Sequence, residues 1–270
     1  MKGPDRASLQ VSLREGIAAH QARNFALAEK RYDDILALEP GNVDAAHLKG
    51  VALIDQGRAE QALVYLDRAI SAAPEFADAR FNKANALVAL GRADEAVTIY
   101  SEAIALRPAF ADARLNLGAL LQRMGRGADA IATLRALTAA CPNDARGFLS
   151  LGVCILAVGG SRAVSESIEV FKQAAVLAPQ NADIQAALGS AYLRAGDHLS
   201  ATSYLNAALA SPSQWAASRR AEVLSTLGQA HKRAGLYDDA VVCQQQALGL
   251  SPQNLDISFN LAAALQSAGR

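Results

Sequence analysis

The sequence has little of several features that would indicate a specific chemistry. Only 5% of its 270 residues are aromatic, and its cysteines, Cys141, Cys154 and Cys243, lie far apart without a CxxC or Cys/His pattern. Its 26 basic residues are balanced by 26 acidic residues. We therefore expect no metal centre, no disulfide framework, and no overall field that would draw the chain to nucleic acid or to an anionic membrane surface.

Long apolar runs and catalytic motifs are also missing. The opening residues, MKGPDRASLQ, lack the apolar core of a signal peptide, and no later stretch is long enough to span a membrane, so we expect a cytoplasmic protein. No Gly-rich phosphate loop, nucleophile elbow or HExxH motif occurs. We interpret the chain as a non-enzymatic protein without a cofactor.

What the sequence does have is an internal repeat. Proline recurs at intervals of 34 residues, at Pro40, Pro74, Pro108 and Pro142. A small residue lies eight positions into each repeat and a glycine follows seven residues later, as at Gly118 and Gly125. Apolar residues at helical spacing flank that glycine on both sides. Each repeat is therefore predicted to be two amphipathic helices, with glycine ending the first helix and proline following the second.

A single hairpin of this kind cannot bury its apolar face, so neighbouring hairpins must stack. The sequence predicts an all-α fold, a right-handed α-solenoid of antiparallel helix pairs with about seven full repeats and one terminal helix. We expect residues 1–8 to form a flexible tail and residues 9–270 to form the solenoid. Insertions are expected near residues 160–164, where they would lengthen the turn between two helices, and near residues 213–220.

The order of these residues resembles the tetratricopeptide repeat from about residue 9 to residue 270. The resemblance is clearest at Leu117-Gly118, Ala130 and Pro142. The family's usual tryptophan is absent throughout, and Gln244 replaces a large packing residue in the seventh repeat, so we expect that repeat to pack differently. The resemblance implies a protein–protein interaction scaffold whose concave groove, lined by the first helix of each pair, binds an extended peptide or a partner helix.

The repeat register places the candidate partner-binding residues on the first helices. Asparagines are expected to form a broken ladder whose amides bind a peptide backbone, at Asn82, Asn85, Asn116 and Asn260. Resemblance to the repeat regions of O-linked N-acetylglucosamine transferases implies the same use. Phe81 and Phe259 are expected to give apolar contacts. The remaining candidates are polar or basic: Gln122, Arg123, Arg146, Arg194, Gln229, Lys232 and Arg233.

A second resemblance concerns the carboxylate clamp, which some tetratricopeptide proteins use to bind the C-terminus of a chaperone tail. Asn85, Asn116 and Arg146 coincide with three of its five positions. Phe81 and Ser150 occupy the two positions that should be basic. The resemblance therefore implies no working clamp in these repeats.

The end of the chain leaves alternatives open. The last predicted helix carries apolar side chains without a following partner helix, at Ile257, Phe259, Leu261 and Leu265. This pattern fits an imperfect cap, self-association through that helix, or a longer parent protein. The opening of the chain resembles bacterial proteins that join such repeats to a glycosyltransferase or sulfotransferase. In the alternative hypothesis, the repeats therefore recruit substrates for a larger transferase.

Overall fold

The computed structural model describes residues 6–212 and 215–270, and within these residues it contains fifteen α-helices and no strand. The chain divides into an N-terminal unit, Met1–Arg126, and a C-terminal unit, Gly127–Arg270. The N-terminal unit contains α1 (Arg6–Gln21), α2 (Phe25–Leu38), α3 (Val43–Asp55), α4 (Ala59–Ala72), α5 (Ala77–Ala89), α6 (Ala93–Leu106) and α7 (Ala111–Arg123). The C-terminal unit contains α8 (Gly127–Ala140), α9 (Ala145–Val158), α10 (Ser161–Leu177), α11 (Ala182–Ala195), α12 (His198–Ala210), α13 (Ala217–Arg233), α14 (Tyr237–Leu250) and α15 (Leu255–Ser267).

Within each unit the helices pack as consecutive hairpins. In the N-terminal unit α1 pairs with α2, α3 with α4 and α5 with α6, and each second helix also contacts the first helix of the next pair. In the C-terminal unit α9 pairs with α10, α11 with α12 and α13 with α14, and α15 packs on α14 and α13. First helices of successive pairs also touch one another. We call the surface of α1, α3, α5 and α7, and separately that of α9, α11, α13 and α15, the first-helix face of its unit.

The turns inside the hairpins contain the predicted glycine at positive φ, except in the first hairpin. Gly57 and Gly91 each have a φ of 75°, in the left-handed region that favours glycine. In the first hairpin the corresponding residue is Arg23, with a φ of 58°. The neighbouring Asn24 caps α2 instead, because its side chain accepts a hydrogen bond from the Leu27 backbone N–H at 3.2 Å.

The extra residues of the fifth repeat lie in a helix and not in a turn. Only Gly159 and Gly160 separate α9 from α10, and α10 has 17 residues where α4 and α6 have 14. The expectation of a longer turn is therefore wrong, because the added residues continue the helical pattern. Helix α13 also has 17 residues. Residues 213 and 214 of the second predicted insertion lie outside the described residues. Residues 1–5 of the predicted tail also lie outside them, and α1 begins at Arg6, within the range predicted for that tail.

Close approach of paired helices explains the small residue eight positions into each repeat. A Cβ atom at Gly50 would lie 2.7 Å from Leu66, and one at Gly152 would lie 2.4 Å from the Phe171 ring. The large side chains that fill these positions, Leu66 and Phe171, have no exposed surface. A side chain at either glycine would therefore push the two helices apart.

Gln244 fills the same position in the seventh repeat and is also buried, with only 1% of its surface exposed. Its Nε2 donates to the Ser225 carbonyl at 2.9 Å, and its Oε1 accepts from the Ser225 hydroxyl at 3.0 Å. The side-chain amide of Gln244 is thus hydrogen-bonded to α13 at both its oxygen and its nitrogen, and is not buried without partners. The repeat keeps its packing by exchanging an apolar contact for a polar one.

Ion pairs join successive hairpins in the N-terminal unit. Lys49 on α3 contacts Asp33 on α2, and one repeat later Lys83 on α5 lies 2.6 Å from Asp67 on α4. Lys49 is only 5% exposed, and its ammonium group lies over the Tyr65 ring at 4.2 Å. Lys49 and Lys83 occupy the same repeat position, directly before the small residue of their helix. In both repeats the lysine forms an ion pair with an aspartate of the preceding second helix.

Candidate functional site

The predicted asparagines of the N-terminal unit are hydrogen-bonded to one another. Asn116 Nδ2 donates to Asn85 Oδ1 at 3.0 Å, and the Tyr100 hydroxyl donates to the same oxygen. Asn85 Nδ2 lies 3.5 Å from Asn82 Oδ1, and Asn82 Nδ2 lies 2.8 Å from His47 Nε2. We call these five residues the asparagine chain. It crosses three first helices, α3, α5 and α7, so much of its hydrogen-bonding capacity is used within the protein.

His47 ends this chain as a partly buried imidazole. Burial lowers its pKa below the ordinary value, and the nearby Asp78 and Asp44 carboxylates oppose this shift only in part. A neutral imidazole can accept a hydrogen bond at Nε2, which fits an Asn82 amide that donates. His47 also packs edge-on against Phe76, with ring centroids 4.8 Å apart.

A second tyrosine at the same repeat position indicates what the asparagines contribute. Tyr32 is as deeply buried as Tyr100, but its hydroxyl has no hydrogen-bond partner among the described residues. In its repeats the positions of Asn85 and Asn116 are occupied by Ile17 and Leu48. Burial raises the pKa of Tyr32 to about 12. Asn85 therefore gives the buried Tyr100 hydroxyl a polar partner, which the buried Tyr32 hydroxyl lacks.

The other candidates of the N-terminal unit differ in exposure. Phe81 is half-buried and packs against Phe110 and Tyr100, with ring centroids 5.0 Å and 6.1 Å away. It therefore contributes to packing between hairpins. Gln122 is half-buried and Arg123 is exposed, both in the last turn of α7. The Arg123 charge opposes the rise that burial causes in the pKa of Tyr100.

In the C-terminal unit several candidates meet in one pocket on the first-helix face. The pocket has a volume of about 310 Å³ and lies between α13 and α15. The buried side chain of Gln244 on α14 also lines it. It is lined by Gly228, Gln229, Lys232, Arg233, Gln244, Asn260 and Ala264. We call it the α13–α15 pocket. It brings together predicted residues that are up to 31 positions apart, Gln229 and Asn260.

Hydrogen bonds order the floor of this pocket. Asn260 Nδ2 donates to the Ser225 hydroxyl at 3.2 Å, and that hydroxyl donates to Gln244 Oε1. At the rim, an Arg233 guanidinium nitrogen lies 3.3 Å from the Leu193 carbonyl oxygen, to which it donates. The side chains of Gln229 and Lys232 make no hydrogen bond or ion pair with the residues that the structure describes. They are therefore available to a ligand.

Of the three remaining candidates of this unit, Phe259 on α15 is 74% exposed, and the other two are exposed arginines. Arg194 donates to the Leu156 carbonyl at 2.9 Å, just as Arg233 donates to Leu193 one repeat later. Arg146 is 61% exposed and forms an ion pair at 2.7 Å with Asp144, and its guanidinium holds the pKa of that carboxyl below its usual range. The charge of Arg146 is thus partly compensated, whereas Arg194 contacts only a carbonyl in the described part of the chain.

The residues that sequence reasoning missed are those that connect the candidates. His47 carried no metal-binding or catalytic pattern, and Tyr100 and Ser225 read as ordinary helical residues. The one available signal was register, because Tyr100 recurs at the position of Tyr32 beside asparagines that the first repeats lack. Among the described residues no helix is both long and apolar enough to cross a membrane.

Sequence comparison places the chain in a family. Models described as tetratricopeptide repeat match residues 19–79, 53–102, 112–144, 155–215 and 221–254, and a model described as TPR repeat matches residues 84–125. The matches together span most of the sequence, so the chain belongs to the tetratricopeptide repeat family. Among curated proteins, no sequence matches it closely enough to count as a relative.

Solved structures support the same fold. A tetratricopeptide repeat protein from Parabacteroides merdae ATCC 43184 is 15% identical with a TM-score of 0.67, covering 96% of this chain and 99% of that one. PilF from Pseudomonas aeruginosa is 22% identical with a TM-score of 0.67, covering 82% and 97%. YrrB, described as a TPR protein with an unusual peptide-binding site, is 19% identical with a TM-score of 0.53, covering 66% and 90%. The predicted all-α solenoid class is confirmed, and this fold is that of a protein–protein interaction scaffold.

Proposed function

We propose that the chain is a non-catalytic scaffold that binds an extended peptide or a partner helix on the first-helix face of its repeats. The observation that supports this proposal is the α13–α15 pocket, where Gln229 and Lys232 have hydrogen-bonding groups without protein partners. Side chains whose polar groups have no partner in the fold can bind a ligand without first breaking an internal hydrogen bond. The description of YrrB as a peptide-binding TPR protein supports such a site on this fold.

The two units contribute differently in this proposal. In the N-terminal unit Asn82, Asn85 and Asn116 hold successive first helices in place through the asparagine chain, and a peptide would have to compete for their amides. In the C-terminal unit Gln229, Arg233 and Asn260 contact the peptide directly. Arg194, whose guanidinium is exposed one repeat earlier, extends this contact surface along the same face.

The test is a selection from a library of ten-residue peptides of random sequence with the purified chain as bait. A first-helix variant, Gln229→Ala with Lys232→Ala and Arg233→Ala, is compared with a control, Gln173→Ala with Lys172→Ala and Arg135→Ala. The control changes the same three residue types at exposed positions of the second helices of the same unit. Circular dichroism confirms that both variants keep their helix content.

We expect the unchanged chain and the control to select the same peptides and the first-helix variant to lose them. Selection of the same peptides by all three proteins would place the binding surface elsewhere and refute the proposal. Failure of the unchanged chain to select any peptide would refute it as well. A further variant, Asn82→Ala with Asn85→Ala and Asn116→Ala, measures the share of the asparagine chain, and we expect it to lose stability more than peptide binding.

A further inference from the structure

An open pocket lies where the first hairpin meets α3. Its volume is about 470 Å³. Three apolar side chains form its wall and three polar ones its rim: Leu9, Leu13 and Ile35, and Glu39, Asn42 and Asp44. We call it the Asn42 pocket. It belongs to the N-terminal unit and shares no residue with the α13–α15 pocket.

In the next two repeats a phenylalanine of the chain itself fills the corresponding place. Phe76 and Phe110 occupy the repeat position of Asn42, directly before α5 and α7. The Phe76 ring packs against His47, with ring centroids 4.8 Å apart. The Phe110 ring is only 8% exposed and packs against Phe81, with centroids 5.0 Å apart. An aromatic ring at this position therefore closes the junction between successive hairpins.

The first hairpin has the wall for such a ring but not the ring. Leu13 occupies the repeat position of His47 and Phe81, against which the rings pack. The Asn42 side chain is bound to its own loop, because it accepts from the Ala45 backbone N–H at 3.0 Å and donates to the Glu39 carboxylate at 2.9 Å. The apolar wall is therefore left accessible from solvent.

The charged residues of the rim differ in the same way. In the third repeat Arg107 donates to Asp78 at 3.0 Å and lies over the Phe110 ring, 4.4 Å from its centroid. In the Asn42 pocket Asp44 keeps the carboxylate of Asp78, but Glu39 takes the position of Arg107. A second carboxylate thus replaces the cation that pairs with the first.

No cation of the described residues takes over this role. Glu39 and Asp44 form no ion pair there, and His47, one turn further along α3, does not pair with Asp44. Arg68 on α4 reaches the same loop but donates to the Pro40 carbonyl at 2.6 Å. The pocket therefore combines an open apolar wall with two carboxylates that have no counter-ion in the described part of the chain.

From this comparison we infer that the Asn42 pocket docks a partner protein through an aromatic side chain and an arginine close to it in sequence. The ring would take the place that phenylalanines of the chain fill in the next two repeats, and the arginine would pair with Asp44 and Glu39. Aromatic side chains and arginine are enriched among the residues that dominate binding energy at protein interfaces. The sequence Arg-Pro-Ala-Phe at residues 107–110 shows that four consecutive residues can supply both groups and their cation–π contact. This docking surface is independent of peptide binding in the α13–α15 pocket.

The test follows the methyl NMR signals of Leu13 and Ile35 during titration with a synthetic peptide. The probe is the acetylated and amidated decapeptide Gly-Ala-Leu-Arg-Pro-Ala-Phe-Ala-Gly-Gly. One matched peptide has alanine in place of the phenylalanine, and another has glutamine in place of the arginine. Both comparisons use the unchanged chain and therefore do not depend on the folding of a variant.

Two pairs of variants locate the binding surface. Asn42→Phe fills the pocket with a ring of the chain itself, and its control, Asn181→Phe, makes the same change at the same repeat position before α11. The second pair consists of Glu39→Gln with Asp44→Asn and, as the control, exposed acidic residues elsewhere in the same unit, Glu75→Gln with Asp94→Asn. Circular dichroism confirms the helix content of each variant.

We expect the probe to shift the signals of Leu13 and Ile35. The alanine peptide should bind at least about tenfold more weakly, because it lacks the ring that the pocket buries. The glutamine peptide should bind about threefold more weakly, as expected for an exposed ion pair, and added salt should reduce this difference.

The variants should respond selectively. Asn42→Phe should lose the probe, whereas Asn181→Phe should bind it like the unchanged chain. Glu39→Gln with Asp44→Asn should bind the probe and the glutamine peptide equally, and the control pair should keep the difference.

Unmoved signals of Leu13 and Ile35 at millimolar probe would overturn the inference, as would equal binding of the probe and the alanine peptide. Retention of the probe by a folded Asn42→Phe chain would also overturn it. Sedimentation tests the other occupant: self-association that Asn42→Phe abolishes would assign the pocket to a second copy of the chain and exclude the partner protein.

Discussion

Two tyrosines at the same repeat position, Tyr32 and Tyr100, are expected to respond in opposite directions to the loss of their hydroxyl groups. Both are buried, but only the Tyr100 hydroxyl has a partner, Asn85. Tyr100→Phe removes a hydrogen bond that contributes about 1 kcal/mol to the free energy of unfolding. Tyr32→Phe removes an unpaired hydroxyl whose burial costs about 1 to 2 kcal/mol. The unfolding free energies of the two variants should therefore differ by about 2 kcal/mol.

The measurement is urea unfolding followed by far-ultraviolet circular dichroism. Repeat arrays do not always unfold in two states, so the comparison is valid only where the unchanged chain and both variants have the same m value. Both substitutions remove one oxygen atom, and Leu66 at the same position of the second repeat indicates that the site accepts a side chain without a hydroxyl. In an Asn85→Ala background the effect of Tyr100→Phe should shrink, because the acceptor is gone. Equal destabilisation by Tyr32→Phe and Tyr100→Phe would refute this reasoning.

Three further predictions concern packing, the backbone and pH. Gly152→Ala should destabilise the chain by about 1 to 3 kcal/mol, because its Cβ would lie 2.4 Å from the Phe171 ring. A Cβ at Gly249 would meet no atom within 4 Å, so Gly249→Ala should stabilise α14 by up to about 1 kcal/mol. Arg23→Gly should stabilise the first turn by about 1 kcal/mol, because glycine adopts a φ of 58° without strain. Burial lowers the pKa of His47 in the folded chain. Below about pH 6.5 the unfolded chain therefore binds more protons than the folded one, and the free energy of unfolding falls as the pH decreases. His47→Gln should remove this part of the pH dependence.

Each of these has an outcome that would contradict it. Thermal unfolding in which Gly152→Ala and Gly249→Ala shift the midpoint equally would mean that α9 and α10 can separate without cost. A lower midpoint for Arg23→Gly would mean that the contact of the guanidinium with the Phe25 ring, 5.8 Å from its centroid, outweighs the backbone strain. Urea unfolding at pH 7.5 and pH 5.5 that gives the same difference with and without His47 would exclude a contribution from its imidazole.

Most of the fold could be predicted because its determinants are local and repeated. A glycine at positive φ and a proline after the second helix mark each boundary wherever they occur, so an interval of 34 residues is enough to place helices. The same register correctly puts Asn85 and Asn116 on first helices. The exception was the segment after Gly160, where extra residues extend a helix; a count of residues alone does not distinguish a longer helix from a longer turn.

The candidate site could be predicted only as a set of positions. Whether Asn85 bonds to Asn116 or stays open depends on distances across two helix interfaces, which vary with the side chain that fills them. A tyrosine at position 100 reaches Asn85, whereas a glutamine at position 244 reaches Ser225 and draws Asn260 with it. Such differences of a few ångströms between side-chain atoms arise from packing, and they cannot be predicted from the composition or the repeat spacing of the sequence.

The asparagine chain has a consequence for how the N-terminal unit opens. Its members come from three successive repeats, so separation of one hairpin from the next breaks side-chain hydrogen bonds between first helices. The amide protons of α3, α5 and α7 should accordingly exchange with solvent in one cooperative step, in contrast to repeats joined by apolar contacts alone. A polar link of this kind lengthens the segment that must unfold together, and so makes the loss of a single repeat by fraying rarer.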